Sequence, residues 1–380
     1  MTPGGLRRAA GVAVALAAVA GGAWQRARAV RELPPDYDEL VYIPVGYRYA
    51  ERIGAGRAGE IATMEENYEH PPMGKLVHAA ATRVAGAPEP DWKALEVGRP
   101  LPDAARPAFR AARWPSAVAG LAQVAIVAAL SPLAGLLLAF DPYHAKYTSQ
   151  AMLEAVPGLL ALVAALLAGR ALRAEGRRRT RLALLSAAAV GAAAAGKYPY
   201  GLVLVLALSP LAVAAFPRRP GTWLALGGVL VAVFLALAPN LWPDPIGGIA
   251  RAVAFHWSYS HGEHVAEVGY PWYAPLFFLT HPVPLRWHPG VFATGAVTWG
   301  ILPLAAVGLP RTWRRRPVFA AWAIAGLAFL LLWRSKWPQY LLMVLPALAV
   351  CAAEAPAAIA AGARWVGDRV SRRRSRAGGA

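Results

Sequence analysis

Long apolar runs separated by short polar connections recur from one end of the chain to the other. They lie near 9–24, 115–130, 131–141, 150–169, 182–196, 199–216, 222–239, 290–309, 317–333 and 339–360. A helix needs about 20 apolar residues to cross a bilayer, with a range of about 17–25, so most of these runs are span-length or slightly short. The pattern predicts an all-α, polytopic membrane bundle of about 10 spans. Arg7-Arg8, the apolar core after them and the small residues at 20–23 fit a secretory signal. Nine further runs favour a signal anchor. Residues 115–141 are long for one crossing and short for two. Two short crossings, or a re-entrant hairpin at Ser131-Pro132, would leave 26–113 and 141–149 on one side, whereas a single crossing would separate them. We read two crossings.

Helical spacing also appears in the first long loop. Leu40, Ile43, Tyr47, Ala50 and Ile53 share a face opposite Arg48, Glu51 and Arg52, and Leu76, Val77, Ala80, Ala81 and Val84 follow Pro71-Pro72. Both stretches predict amphipathic helices lying in the membrane interface.

Composition agrees with this pattern. Of 380 residues, 57% are apolar and only 16% charged, against about 25% charged in soluble domains. Fourteen Trp, 13 Tyr and 10 Phe exclude a disordered chain, and one cysteine excludes a disulfide scaffold. The net charge of +18 would suggest nucleic acid in a soluble protein, but its distribution points elsewhere. Twenty Arg and three acids fall at Arg7-Arg8, in 170–181, in 218–219, in 311–316 and from Glu354 onward; the other side holds 14 Arg, five Lys and 18 acids. The positive-inside rule puts the arginine-rich set in the cytoplasm. A nucleic-acid partner is not needed to explain it. The chain is thus read as one transmembrane domain, 1–363, with a basic cytoplasmic tail, 364–380.

Three outer segments carry the polar chemistry: 26–113, 141–149 and 240–289. All eight histidines lie there. The first contains Asp36-Tyr37-Asp38-Glu39, whose acids either cap the following helix or serve a site. It continues to Glu69-His70-Pro71-Pro72-Met73-Gly74-Lys75, where a helix N-terminus and a lysine together suit an anion such as phosphate. The second reads Asp141-Pro142-Tyr143-His144-Ala145-Lys146-Tyr147, with Glu154 just inside the next apolar run. Glu154 should face the protein, either in an interhelix hydrogen bond or in a site. Gly196-Lys197-Tyr198 and Ser335-Lys336-Trp337-Pro338-Gln339-Tyr340 each set a lysine beside an aromatic at a span mouth, a pattern that also fits snorkelling. All five lysines are on the outer side, while every cytoplasmic basic residue is Arg. A compact ammonium suits a point contact to phosphate, which makes Lys75, Lys146, Lys197 and Lys336 candidate phosphate ligands. His261, Glu263 and His264 lack the i, i+4 spacing of a helical zinc motif. No metal residues are assigned, and a divalent cation is the one cofactor kept in view.

The ordered set Asp38-Glu39, Glu69–Lys75, Gly196-Lys197-Tyr198, Pro271-Trp272-Tyr273 with Thr280-His281-Pro282, and Lys336–Tyr340 resembles the GT-C membrane glycosyltransferases. It is similar to protein O-mannosyltransferases and to the aminoarabinose transferases of lipid A. The resemblance runs from about residue 36 to 350. It implies Asp38 as catalytic base, with Asp36 a second reading of the same motif, and Glu39 and Glu69 as further catalytic candidates. His70, His144, Tyr273 and Tyr340 become candidate substrate contacts. Glu69 stands where the mannosyltransferases carry Asp, and their lumenal β-trefoil domain is absent. The implied activity moves a sugar (mannose or similar) from a polyprenyl-phosphate donor to an acceptor hydroxyl on a protein, glycolipid or polysaccharide. It would proceed with inversion at an extracytoplasmic site of a multi-pass plasma-membrane protein. The alternative is a lipid or solute transporter or flippase, but the span interiors are nearly free of charge and no internal repeat is evident.

Overall fold

Each of the ten apolar runs contains a helix. The computed structural model describes residues 2–217, 219–293 and 298–365. Helix α1 (Pro3–Glu32) is an unbroken rod. Helices α2 (Tyr37–Gly54) and α3 (Met73–Val84) occupy the first long loop. Next come α4 (Arg106–Leu130), the short α5 (Pro132–Ala139) and α6 (Pro142–Tyr147). The bundle continues with α7 (Ala155–Arg173), α8 (Gly176–Gly196), α9 (Tyr198–Ala215) and α10 (Pro220–Ala236). The second long loop carries α11 (Pro245–His261), α12 (Glu263–Val268), α13 (Ala274–Phe278) and α14 (Val283–Trp287). Helices α15 (Thr298–Arg315), α16 (Pro317–Leu332) and α17 (Leu345–Ala352) complete it. Among the described residues there is no strand.

Among the described residues, five helices are long and apolar enough to cross a membrane: Gly4–Glu32, Asp103–Leu130, Ala155–Arg173, Tyr198–Ala215 and Leu345–Trp365. Helices α10 and α16 are apolar but shorter. Helix α8 begins, and α15 ends, in arginines. The helices approach closely where side chains are small, the usual means of joining helices in lipid. At Gly191 on α8 a Cβ would lie 2.3 Å from the Leu230 carbonyl oxygen of α10; at Gly308 on α15 it would lie 1.9 Å from that of Cys351 on α17. No larger residue fits either crossing without moving a helix.

The 115–141 stretch runs out and back. Gly22 of α1 faces Val124 of α4, and Arg113 reaches the carbonyls of Val30 and Leu33, so these two helices are antiparallel. After Ser131 the chain reverses, with Gly11 of α1 beside Pro132 and Gly21 beside Phe140. Helix α5 has eight residues, about 12 Å at 1.5 Å per residue, far less than the ~30 Å hydrocarbon core. The polar α6 that follows is therefore buried beside the last turns of α1, with every residue from Pro142 to Tyr147 covered. Such backbone is tolerated at depth only inside protein or along a cavity.

The two helices of the first loop do more than lie at an interface. Val45, Tyr49 and Ala50 of α2 pack with Ile61 and with Ala79 of α3. Ile43 packs with Phe109 and Ala112 of α4. The loop is a folded lid resting on the end of the bundle.

Candidate active site

Placement of the acidic motif begins at Arg113. This fully buried guanidinium donates from Nε to Glu39 Oε1 (2.7 Å) and from one amino group to the carbonyls of Val30 (3.1 Å) and Leu33 (2.8 Å). Its other amino group donates to Pro34 O (3.0 Å) and Glu39 Oε2 (2.6 Å). All five donors of the planar fork are used. Glu39 also accepts from the backbone amides of Asp36 (3.1 Å) and Ala151 (2.8 Å). The C-terminus of α1, the N-terminus of α2 and the loop after α6 are thus tied to one ion pair.

That knot aims Asp36 and Asp38 into a cavity of about 630 Å³ whose walls draw on 26–113, 141–149 and 240–289. Asp38 Oδ2 accepts from Gln339 Nε2 at 3.2 Å. Burial, only partly offset by Lys197, pushes its carboxyl up to about 7. Lys146 and Lys197 line the same cavity. Lys146 donates to Asp36 Oδ2 (2.7 Å) and Gln150 Oε1 (2.9 Å). Lys197 pairs with Glu154, and its ammonium lies 5.1 Å from the centre of the Tyr340 ring. Glu69 and His70 form another wall, with Glu69 Oε1 accepting from Asn67 Nδ2 at 2.6 Å. The His70 ring stands edge-on to Tyr42 and 5.3 Å from His256. Burial, with Lys197, His256 and Lys75 nearby, lowers its proton affinity and keeps it neutral at pH 7. Tyr147, Tyr259, Tyr270, Trp287 and Trp337 make the remaining surface aromatic.

Of the residues singled out from sequence, Asp38, Glu69, Lys146, Lys197, His70 and Tyr340 come together here. Five others do not. Glu39 turns back to Arg113, because consecutive side chains on a helix point about 100° apart. Lys75 is fully buried and donates to Asn67 O (2.7 Å), Asn67 Oδ1 (3.1 Å) and His70 O (3.0 Å). It stabilises the turn that presents Glu69; Asn67 adopts a left-handed φ of 54° there. Lys336 donates to the carbonyls of Leu330, Leu331 and Trp333, capping the end of α16. His144 is sealed between Arg26 (2.5 Å) and Gln123 (3.2 Å). Tyr273 is half exposed, outside the cavity. His261 lies against Trp257 and His264 against Trp337, so these two rings face different partners. Among the described residues no three His, Cys, Asp or Glu side chains gather as a metal set.

Beside the cavity runs an apolar groove of about 530 Å³ between α8, α9, α10 and α11, walled by Leu202, Val205, Leu230 and Phe234. His70, Lys197, His256 and Tyr340 belong to both spaces. Sequence reading passed over Gln339, Tyr259 and His256. Gln339 stands in the Lys336–Tyr340 motif and could have been singled out from it.

If Asp38 is the base of the free enzyme, kcat/KM should rise with pH through about 7, since the carboxyl must lose its proton to accept another. A pH profile of kcat/KM whose acid limb lies near 4 would contradict that assignment.

No family model matches the chain, and no curated protein matches it significantly. Solved structures do. The crystal structure of ArnT from Cupriavidus metallidurans bound to undecaprenyl phosphate superposes with a TM-score of 0.61 at 21% identity, covering 93% of this chain and 60% of that one. The apo structure of the same protein gives 0.56 at 19% identity with the same coverage. The chain spans 60% of the length of the ArnT it matches, and it has the polytopic helical fold of that protein.

Proposed function

We propose that this chain, with its ArnT-like fold, is a GT-C-type membrane glycosyltransferase that takes a sugar from a polyprenyl-phosphate donor. The observation that carries the reading is the junction of two spaces. A polar cavity lined by the Asp38 carboxyl and two ammoniums opens, at Lys197 and Tyr340, onto an apolar groove. An amphiphile with an anionic head and a long hydrocarbon tail matches that junction, its tail along Leu202, Val205 and Leu230 and its phosphate at Lys197 and Lys146. The similarity to an ArnT structure bound to undecaprenyl phosphate supports the same donor class.

In the reaction, an acceptor hydroxyl attacks the anomeric carbon as the bond from that carbon to the phosphate oxygen breaks. The hydroxyl proton passes to Asp38, and the electron pair of the broken bond leaves with the lipid phosphate, whose charge Lys197 stabilises. Attack opposite the leaving group inverts the anomeric centre. The transferred sugar would be mannose or a similar hexose or pentose. Three lining acids, Asp36, Asp38 and Glu69, outnumber the two lysines, which favours a neutral or amino sugar over an acidic one. The acceptor would approach from the extracytoplasmic side, past the aromatic wall.

Incubating the purified protein with a polyprenyl-phosphate donor labelled in the sugar tests the reading. Time-dependent release or transfer of label is expected, and Lys197→Ala should raise the donor KM by about tenfold or more, as loss of a charged hydrogen bond implies. Intact donor after incubation, together with movement of lipid or solute across proteoliposomes, would instead establish a transporter.

A further inference from the structure

Both cavity ammoniums are already held by carboxylates of the chain. Lys197 has Glu154, which is fully buried behind it. Lys146 has Asp36, whose side chain remains 26% exposed. Lys146 also donates to Gln150 Oε1 and lies 4.1 Å from the Tyr147 ring centre. Gln150 in turn donates to Glu39 Oε2 at 3.4 Å, and the Asp36 amide donates to the same oxygen. Asp36, Lys146, Gln150 and Glu39 therefore close a ring, pinned from behind by Arg113. The backbone of Asp36 cannot withdraw when an anion arrives. A phosphate reaching Lys146 meets an ammonium already paired with a carboxylate 2.7 Å away.

We propose that Asp36 is a built-in counter-ion that competes with the donor phosphate for Lys146 and lowers affinity for the spent lipid phosphate, so that the carrier leaves after transfer. This rests on the polyprenyl-phosphate reading above. Two anions about 4 Å apart repel even through water, and more strongly where water is partly excluded. The repulsion applies to product as well as donor. It matters most for product, because breaking the bond to the sugar leaves an additional negative charge on the phosphate. Asp36 thus acts on binding and release, whereas Asp38 acts on the proton.

The test is equilibrium binding of undecaprenyl phosphate to the full chain in lipid nanodiscs, for wild type, Asp36→Asn, Lys146→Gln and the double variant. Asp36→Asn keeps the shape and the backbone bond to Glu39 but removes the charge; about tenfold tighter binding is expected. Asp36→Ser, which keeps a helix-capping hydroxyl, should show the same gain and guards against a folding artefact in the first variant. Lys146→Gln should weaken binding, and the double variant should bind more weakly than Asp36→Asn, because the ammonium that Asp36 releases is then absent. Wild-type or weaker affinity in both Asp36 variants would overturn the proposal while leaving the donor class intact, as would wild-type affinity in Lys146→Gln. Absence of saturable binding in wild type and variants alike would remove the donor class and this inference with it.

Discussion

Replacing Asp38 by asparagine is expected to lower the transfer rate by about 10²–10⁴-fold, the usual contribution of a general base, while donor binding persists. Asparagine preserves the shape of the side chain and can still accept from Gln339, as Asp38 Oδ2 now does at 3.2 Å, but it cannot take the acceptor's proton. The contacts assigned to the donor, Lys146, Lys197 and the Leu202–Leu230 groove, belong to other elements. Loss of a negative charge near Lys197 should if anything favour an anionic ligand. Turnover and donor affinity measured on the same preparation separate the two effects. Wild-type turnover in Asp38→Asn would remove it from the mechanism and direct attention to Asp36 or Glu69.

The second large effect concerns stability. Arg113→Met fills similar space but leaves Glu39 buried without a counter-charge and the Val30, Leu33 and Pro34 carbonyls without their donor. Breaking a buried pair from one side costs about 3–5 kcal/mol, so thermal unfolding in detergent should move to distinctly lower temperature. Arg113→Lys keeps the charge but replaces a five-donor fork with a single ammonium, and should fall between the two. Adding Glu39→Gln to Arg113→Met should recover part of the loss, since the buried charge is then gone. Unfolding of Arg113→Met at the wild-type temperature would show that the knot does not hold the lid to the bundle.

Much of the architecture could be read from periodicity, because lipid demands long apolar helices and leaves few alternatives. The GT-C resemblance, resting on an ordered set of short motifs, is matched by the ArnT fold. The return at Ser131-Pro132 was also accessible, from a run too long for one crossing, but the second crossing read there does not form, since the eight residues of α5 are too few to span the hydrocarbon core. Side-chain direction was less accessible. Nothing in the string Asp36-Tyr37-Asp38-Glu39 says which acids face the cavity; that depends on where α2 starts and on Arg113. Arg113 itself resembled any arginine before a span, and its role emerges only when α4 is seen to begin at Arg106. The four motif lysines posed the same problem. Lys146 and Lys197 line the cavity, whereas Lys75 and Lys336 sit in equally suggestive motifs but turn to carbonyls of nearby turns and helix ends. A lysine's four-carbon stem reaches either kind of partner, so sequence neighbours alone do not decide.

The eight residues of α5 work as a spacer. Because α5 stops after about 12 Å, Lys146 is delivered alongside the last turns of α1, where Asp36 of the first loop meets it. An amphiphile of the kind proposed above would keep its tail in the neighbouring apolar groove while its phosphate meets this cluster. Depth becomes a heritable length: adding one turn to α5 would lift Lys146 by about 5.4 Å, past the carboxylates that now hold it.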